Sequence, residues 1–477
     1  MQLSRRELLG GGPALLAARS LGGCAASLGS NRARSLPAFY EDIERRTFRF
    51  FWETANRANG LVPDRWPTPS FSSIAAVGFA LTAYPVGVER GWCSRAEARD
   101  LTLTTLRFFH EAPQGPQRAG VAGHRGFFYH FLDMATGRRF RRVELSSVDT
   151  TILLMGVLFA GRYYDGQHPA EREIRRLAEA IYARADWNFF RADGRAAISM
   201  GWHPETGLIE RNWDGYNEGM FVYLLALGAP VHPVPADSWA HWTAPYPAFW
   251  RGAGPTRHLA FAPLFGHQYS HIWVDFRGIQ DAPMRAAGLD YFENSRRATY
   301  ANRAYCTANP LRWDGYSDRI WGLTACDGPG GFTLPFKGEQ RTFHGYAARG
   351  PLGQPDERDD GTIAPTAALG SLPFAPEIVV PCAEAMLRQH GARIYGKYGF
   401  RDSFNPSFRY TELKINTGTV DPAQGWVARD YLGIDQGPVL LQAANHRNEF
   451  VWRVMREVPA LRLGLGRAGF TGGWLSS

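Results

Sequence analysis

The sequence predicts an all-α fold in which helical hairpins form two concentric rings, an α/α toroid with a few short β-hairpins in its loops. Three observations carry this expectation. Segments of helical period recur from residue 37 to residue 456 with no linker or low-complexity break between them. Two of them, 150–161 and 218–228, are apolar on every side, as inner-ring helices covered on both faces must be. The connections include long stretches, 187–212 and 327–361, rich in Trp, Tyr, His and Asp, and loops on a rigid scaffold are where sites are built. The chain has 477 residues, 45% hydrophobic and 13% aromatic, ample for such a core. Its many rings read equally as core and as a cleft paved for sugars, whose C–H faces stack on aromatics.

Taken in order, the first residues stand apart from the fold. "SRRELLGGGPALLAARSLGGC" (4–24) resembles a twin-arginine export signal, and Leu21-Gly22-Gly23-Cys24 resembles a lipobox. Residues 1–23 are therefore expected to be an export signal, Cys24 the lipidated residue, 24–36 a tether and 37–477 a single catalytic domain. An ordinary cleaved signal with a chance Cys is the plainer alternative. The apolar stretch is too short to span a bilayer permanently. The location expected is the periplasm or the outer membrane, with a lipid at Cys24 as the sole membrane attachment and a monomer as the assembly.

Helices are predicted at 37–58, 73–85, 94–110, 146–165, 169–186, 216–228, 284–307, 363–370, 376–391 and 437–456. "GFFYHFLDMATGRRF" (126–140) reads as a hairpin with a Thr-Gly turn. "RRFRR" (138–142) is read as a solvated hairpin, with an anionic glycan as the alternative contact. Net charge is +8, and +6 without residues 1–23. The basic residues are otherwise dispersed, which argues against nucleic-acid binding. Cys93, Cys306, Cys326 and Cys382 match no zinc signature, and the sequence does not choose a disulfide pairing among them.

Three stretches carry candidate chemistry. In "ELSSVDTTILLMGVLFAG" (144–161), Glu144 and Asp149 precede an apolar helix that Ser146 or Ser147 could cap, Asp149 complementing its dipole. In "NWDGYNEGMFVYLLALG" (212–228), Glu218 opens an apolar helix behind Trp213, Asp214, Tyr216 and Asn217. In "PLFGHQYSHIWVDFRG" (263–278), His267 and His271 sit four apart, one face of a helix, but Gln268 fills the place of the Glu in H-E-x-x-H. Hydrogen bonding to a polar ligand fits this pair better than a metal. No G-x-S-x-G elbow, G-x-G-x-x-G or P-loop is present, so no cofactor is expected. What remains is carboxylates bracketed by aromatics, with Asp314, Asp327 and Asp435 added to those above. Two carboxyls cleave a glycosidic bond, one protonating the leaving oxygen and the other activating water or attacking directly. Glu218 has the apolar setting that raises an acid's pKa, opposed by the helix N-terminus.

Successive motifs then resemble the glucoamylase-like domain family: "ELSSVDTTILLMG" (144–156), "WDGYNEGMFVYLLALGAPVHP" (213–233), "LFGHQYSHIWVDFRGIQD" (264–281), "WGLTACDGPGGF" (321–332), "GTIAPTAALGSLPFAPE" (361–377), "YGFRDSFN" (398–405) and "YLGIDQGPVLLQAANHRN" (431–448). The resemblance runs in order over 37–470. It is similar to glycoside hydrolase family 144, endo-β-1,2-glucanases and sophorose-releasing enzymes of (α/α)6 fold. It implies a metal-free inverting hydrolase with Glu218 as general acid, and Glu144 and Asp149 as candidates for base or positioning. Substrate contacts are expected on the same motifs: Trp213, Asp214 and Tyr216; His267, Gln268, His271 and Arg277; Trp321 and Asp327; Phe404 and Asn405; Asp435 and Gln436. Two departures stand out, Met220-Phe221 after Asn-Glu-Gly, and Gln442-Ala443-Ala444-Asn445, which lacks a carboxylate that relatives often carry.

The function expected is therefore hydrolysis of β-glucan, foremost β-1,2-glucan. The alternatives are a polysaccharide lyase using His267, Tyr269 and His271, a starch-type α-glucosidase, and a lipid-anchored glycan-binding protein without turnover.

Overall fold

Glycine meets backbone at the centre of the protein. A Cβ on Gly78 would lie 2.2 Å from the Ile152 carbonyl oxygen, and one on Gly156 would lie 2.2 Å from that of Gly78. No larger residue fits either position, so two apolar helices pack main chain against main chain. The computed structural model describes residues 34–191, 196–354 and 357–476. The expected export signal, Cys24 and most of the expected tether lie outside these residues. Among the described residues no helix is long and apolar enough to cross a membrane.

The helices are α1 (Ala38–Thr54), α2 (Ile74–Glu89), α3 (Arg95–Glu111), α4 (Ser147–Tyr163), α5 (Pro169–Ala183), α6 (Met220–Gly228), α7 (Asp237–Thr243), α8 (Tyr246–Phe249), α9 (Tyr269–Trp273), α10 (Ala282–Ala287), α11 (Tyr291–Ala308), α12 (Pro365–Leu369), α13 (Pro376–Ile394), α14 (Gly433–Asn448), α15 (Phe450–Met455) and α16 (Pro459–Arg467). The chain is an α/α toroid. α2, α4, α6, α9, α12 and α14 are buried nearly all round and form the inner ring. α14 packs on α2, α2 on α4, α4 on α6, and α9 and α12 on α14. The Phe221 and Trp273 rings, 6.4 Å apart, join α6 to α9. α1, α3, α5, α13 and α16 cover them from outside with one apolar stripe each.

Several expected elements differ in detail. The span 284–307 is two helices, because Gly288 turns left-handed at φ 68° and Asp290 caps a fresh start. The span 437–456 begins earlier, at Gly433, and breaks at Glu449, also left-handed at φ 60°. Residues 126–140 are not one hairpin. Phe127–Phe128 pair back with 123–124, Phe131–Leu132 pair with 72–73, and Leu132 meets Arg139 in an isolated bridge. Within "RRFRR", Arg139 is not solvated: its guanidinium is buried on the Tyr129 ring and bidentate to Glu205. The loop 327–361 contains a regular hairpin, Phe332–Phe336 against Glu339–Phe343. Cys93, Cys306, Cys326 and Cys382 are free thiols.

Candidate active site

The N-terminal ends of several inner helices border one cavity of about 470 Å³. Phe71 comes from just before α2, Val148, Asp149 and Ile152 from α4, Glu218 from just before α6, Tyr269 from α9, and Leu432 and Ile434 from the start of α14. Asp64, Arg65, His130, Phe131, Phe265, Ala325 and Tyr346 complete the wall. Helix N-termini carry partial positive charge, so this end of the ring favours carboxylates.

Asp149 is fixed by its own cap. The Asp149 N–H donates to Ser146 Oγ (3.1 Å), and that hydroxyl donates to Asp149 Oδ2 (2.6 Å). His130 then joins two acids. Its Nδ1 lies 2.7 Å from Glu144 Oε1 and its Nε2 3.5 Å from Asp149 Oδ1. Burial opposes protonation of His130, but Asp149, Glu144 and Asp64 outweigh it and push its pKa up to about 9. The two acids shift apart. Burial raises Asp149, whereas for Glu144 the imidazolium outweighs burial and holds it below the usual range. These three groups, within 4.8 Å of one another, are the His–carboxylate set among the described residues that could hold a metal ion. The protonated His130 already supplies positive charge at their centre.

Glu218 sits in the turn two residues before α6, rather than within the helix. The turn is locked from both sides. Asn217 Oδ1 accepts the Gly219 N–H (2.8 Å) and its Nδ2 donates to the Asp214 carbonyl (2.9 Å). The Tyr223 hydroxyl donates to the Trp213 carbonyl (2.7 Å), and Trp213 Nε1 donates to Ser147 Oγ (2.9 Å) at the start of α4. Gly215 takes φ 68° where a Cβ would strike Phe249 at 2.3 Å, so glycine is required there. One turn thus ties the helix carrying Asp149 to the segment carrying Glu218.

Other expected sugar contacts have a different place. Trp213 and Tyr216 are core residues, Tyr216 packed among Tyr246, His267 and Tyr291, and Asp214 is exposed outside the cavity lining. His267 and His271 are buried, and their four-residue spacing does not share one helix, because a 3-10 turn ends at His267 and α9 starts at Tyr269. Burial holds His267 well below its ordinary pKa and His271 at about 3. Gln268 donates to the Ala367 carbonyl and Ser371 Oγ, joining α9 to α12. Trp321 and Phe404 are core, Asn405 donates to the Asp360 carbonyl, and Gln436 donates to the Phe400 carbonyl. Arg277 is paired with Asp275 and Glu449 in a separate pocket.

Behind the cavity lies an acid-rich floor that the motifs reveal only in part. Arg65 binds Asp64 (3.0 Å) and Asp327 (2.8 Å) and lies 3.8 Å from Asp430. Asp402 Oδ2 accepts the Asp327 N–H (2.7 Å) and the Ser403 hydroxyl (3.1 Å). Asp402 and Asp435 are buried, and each carboxylate opposes ionisation of the other, so the pair retains a proton. Burial first, then Asp327, raises Asp402 to about 7, and burial and Asp402 raise Asp435 further. A raised carboxyl in the folded state binds a proton that the unfolded chain gives up near pH 4, so stability falls as pH rises from about 4 to about 7. Asp402→Asn offers Asp435 a permanent N–H donor. Its urea stability relative to the wild type is expected to improve between pH 5 and pH 8, and parallel pH profiles would remove the retained proton from the account.

Similarities to known proteins agree with this geometry. A family model described as "Putative glucoamylase" matches residues 210–459. The exo β-1,2-glucooligosaccharide sophorohydrolase (non-reducing end) of Parabacteroides distasonis is 26% identical over 454 residues, 89% of this chain and 56% of the relative. The chain therefore spans little more than half of that relative's length. A Bacteroides uniformis structure carrying the family's own description superposes with a TM-score of 0.77 at 29% identity, over 93% of this chain and 100% of that one. The endo-β-1,2-glucanase of Chitinophaga pinensis, in complex with sophorotriose and glucose, does so with 0.76 at 25% identity, over 93% and 100%.

Proposed function

Because this chain belongs to the Glycoamylase family, we propose that it is a glycoside hydrolase acting on β-1,2-glucan by an inverting mechanism with Glu218 as general acid. One observation carries the reading: Glu218 and Asp149 face the same ring-lined cavity, each fixed by a rigid turn at the head of an inner helix. Glu218 would donate a proton to the glycosidic oxygen as the bond breaks. Glu144, kept ionised by His130, has the protonation state a base needs to activate water. Burial raises Asp149 while His130 opposes the rise, and its Ser146-fixed carboxyl faces the cavity where it can hydrogen-bond a sugar hydroxyl.

The geometry favours hydrolysis over lyase chemistry. Lyases act on uronic acids, and this cavity presents Asp64, Asp149 and Glu218 against Arg65 and His130, with further acids behind. The Tyr269 hydroxyl donates to the Ile434 carbonyl (3.1 Å), and His267 and His271 are core residues, so the set His267, Tyr269 and His271 is committed to the fold. The test is product release from linear β-1,2-, β-1,3-, β-1,4- and α-1,4-glucans. Cleavage of β-1,2-glucan with the α-anomer formed first is expected; turnover of another linkage alone, or binding with no turnover, would overturn the proposal.

A further inference from the structure

Tyr346 is the ring of this cavity that the fold does not use. The others are packed: Phe71 lies 4.1 Å from Phe131 and 4.7 Å from Phe140, and Phe265 lies 5.3 Å from Tyr269. Tyr346 lines the same cavity yet is 56% exposed, and among the described residues it stacks on no other ring. A large aromatic left in water forgoes the burial that rings normally gain.

Its mount is nevertheless rigid. Arg349 is wholly buried and binds Asp360 through Nε (2.7 Å) and Nη2 (2.8 Å). The same guanidinium donates to the carbonyls on either side of Tyr346, those of Gly345 (3.0 Å) and Ala347 (3.0 Å), and to that of Cys326 (2.7 Å). Asp360 Oδ2 also accepts the His344 N–H (3.0 Å), and Ala347 exchanges both backbone hydrogen bonds with Cys326. A buried charge pair therefore grips the backbone before and after a single exposed ring. Such a ring meets a ligand without a loop-ordering cost, which is the physical basis of preorganised binding.

We propose that Tyr346 is a specificity-determining residue, the platform on which a glucose unit at the cavity mouth stacks. Arg349 and Asp360 are its positioning residues. The proposal rests on the glucan reading of the site and deepens it: one apolar sugar face is recognised here, so preference for oligosaccharide length is set at this ring. The hydroxyl has no part in stacking, so the ring alone should suffice.

The test is steady-state kinetics and calorimetric titration of wild type, Tyr346→Ala and Tyr346→Phe with β-1,2-glucooligosaccharides of increasing length. Tyr346→Ala is expected to raise KM, and to weaken binding, about tenfold for the longer oligosaccharides, the size of one good aromatic contact. Tyr346→Phe is expected to restore both. An Ala variant within about twofold of wild type at every length would overturn the platform, since twofold is far below such a contact. A Phe variant as impaired as the Ala variant would overturn it too. Binding that depends on Tyr346 with no turnover would retain the platform and defeat the hydrolase reading. Turnover indifferent to Tyr346 would do the reverse, and absence of both defeats both.

Discussion

Glu218→Gln is expected to lower kcat on β-1,2-glucan by about 10²–10⁴-fold, the usual worth of a positioned general acid. The amide keeps the shape of the side chain but has no proton to give. The turn that presents it is held by Asn217, Trp213 and Tyr223, all unchanged in the variant, so the thermal midpoint should not move. A second readout separates acid catalysis from misplacement. A substrate whose leaving group needs no proton should be cleaved by the variant with a much smaller loss. Undiminished activity on glucan would remove Glu218 from its assigned role.

Asp360→Asn is expected to cost about 3–5 kcal/mol, because it strands a buried cation. Arg349 and Asp360 are both fully inaccessible, and each holds the other in its charged form: the arginine outweighs burial and keeps Asp360 below the ordinary range. The replacement retains volume but turns one oxygen, which accepts an Arg349 N–H and a backbone N–H, into a donor, so the loss includes those hydrogen bonds as well as the charge. Urea denaturation measures it directly, and a change below about 1 kcal/mol would mean that the pair contributes little beyond a neutral hydrogen bond. Replacing both partners with apolar residues of similar volume should cost less than the single change.

The parts of the fold legible in the sequence were those written in periodicity. Residues 152–160 of α4 and 220–228 of α6 read as buried on all sides because they are apolar throughout, and all but Leu158 are buried. Breaks were harder to read. Glu449 adopts a left-handed cap with no glycine to announce it, and Pro85 sits inside α2, past which the helix runs to Glu89. The 332–343 hairpin alternates correctly, but Pro335 lies in its first strand and masks the signal.

The site was legible where acids stand at helix starts. Asp149 and Glu218 meet in the cavity because α4 and the turn before α6 both open onto it. Its rings were not legible. Trp213 and Tyr216, adjacent to Glu218 in sequence, turn into the core, and the rings facing the cavity come from segments as distant as Phe71 and Tyr346. His130 lies inside the quoted "GFFYHFLD", but nothing local shows that it will lie between Glu144 and Asp149. Arg65 and Asp402 gain much of their meaning from a distant partner, Asp327, which is 262 residues from the first and 75 from the second.

The meeting of Gly78 and Gly156 bears on how this fold holds its site. With carbonyls seated where side chains would be, α2 and α4 cannot slide past each other without backbone collision, so they act as a single beam. Asp149 rides on that beam, and the turn bearing Glu218 is fastened to it through Trp213 and Ser147. Tyr346 and the residues ahead of α2, Asp64, Arg65 and Phe71, line the same cavity from outside that beam. The two proposed catalytic carboxyls therefore share one fixed frame, while Tyr346 is held by a separate one, the buried Arg349–Asp360 pair.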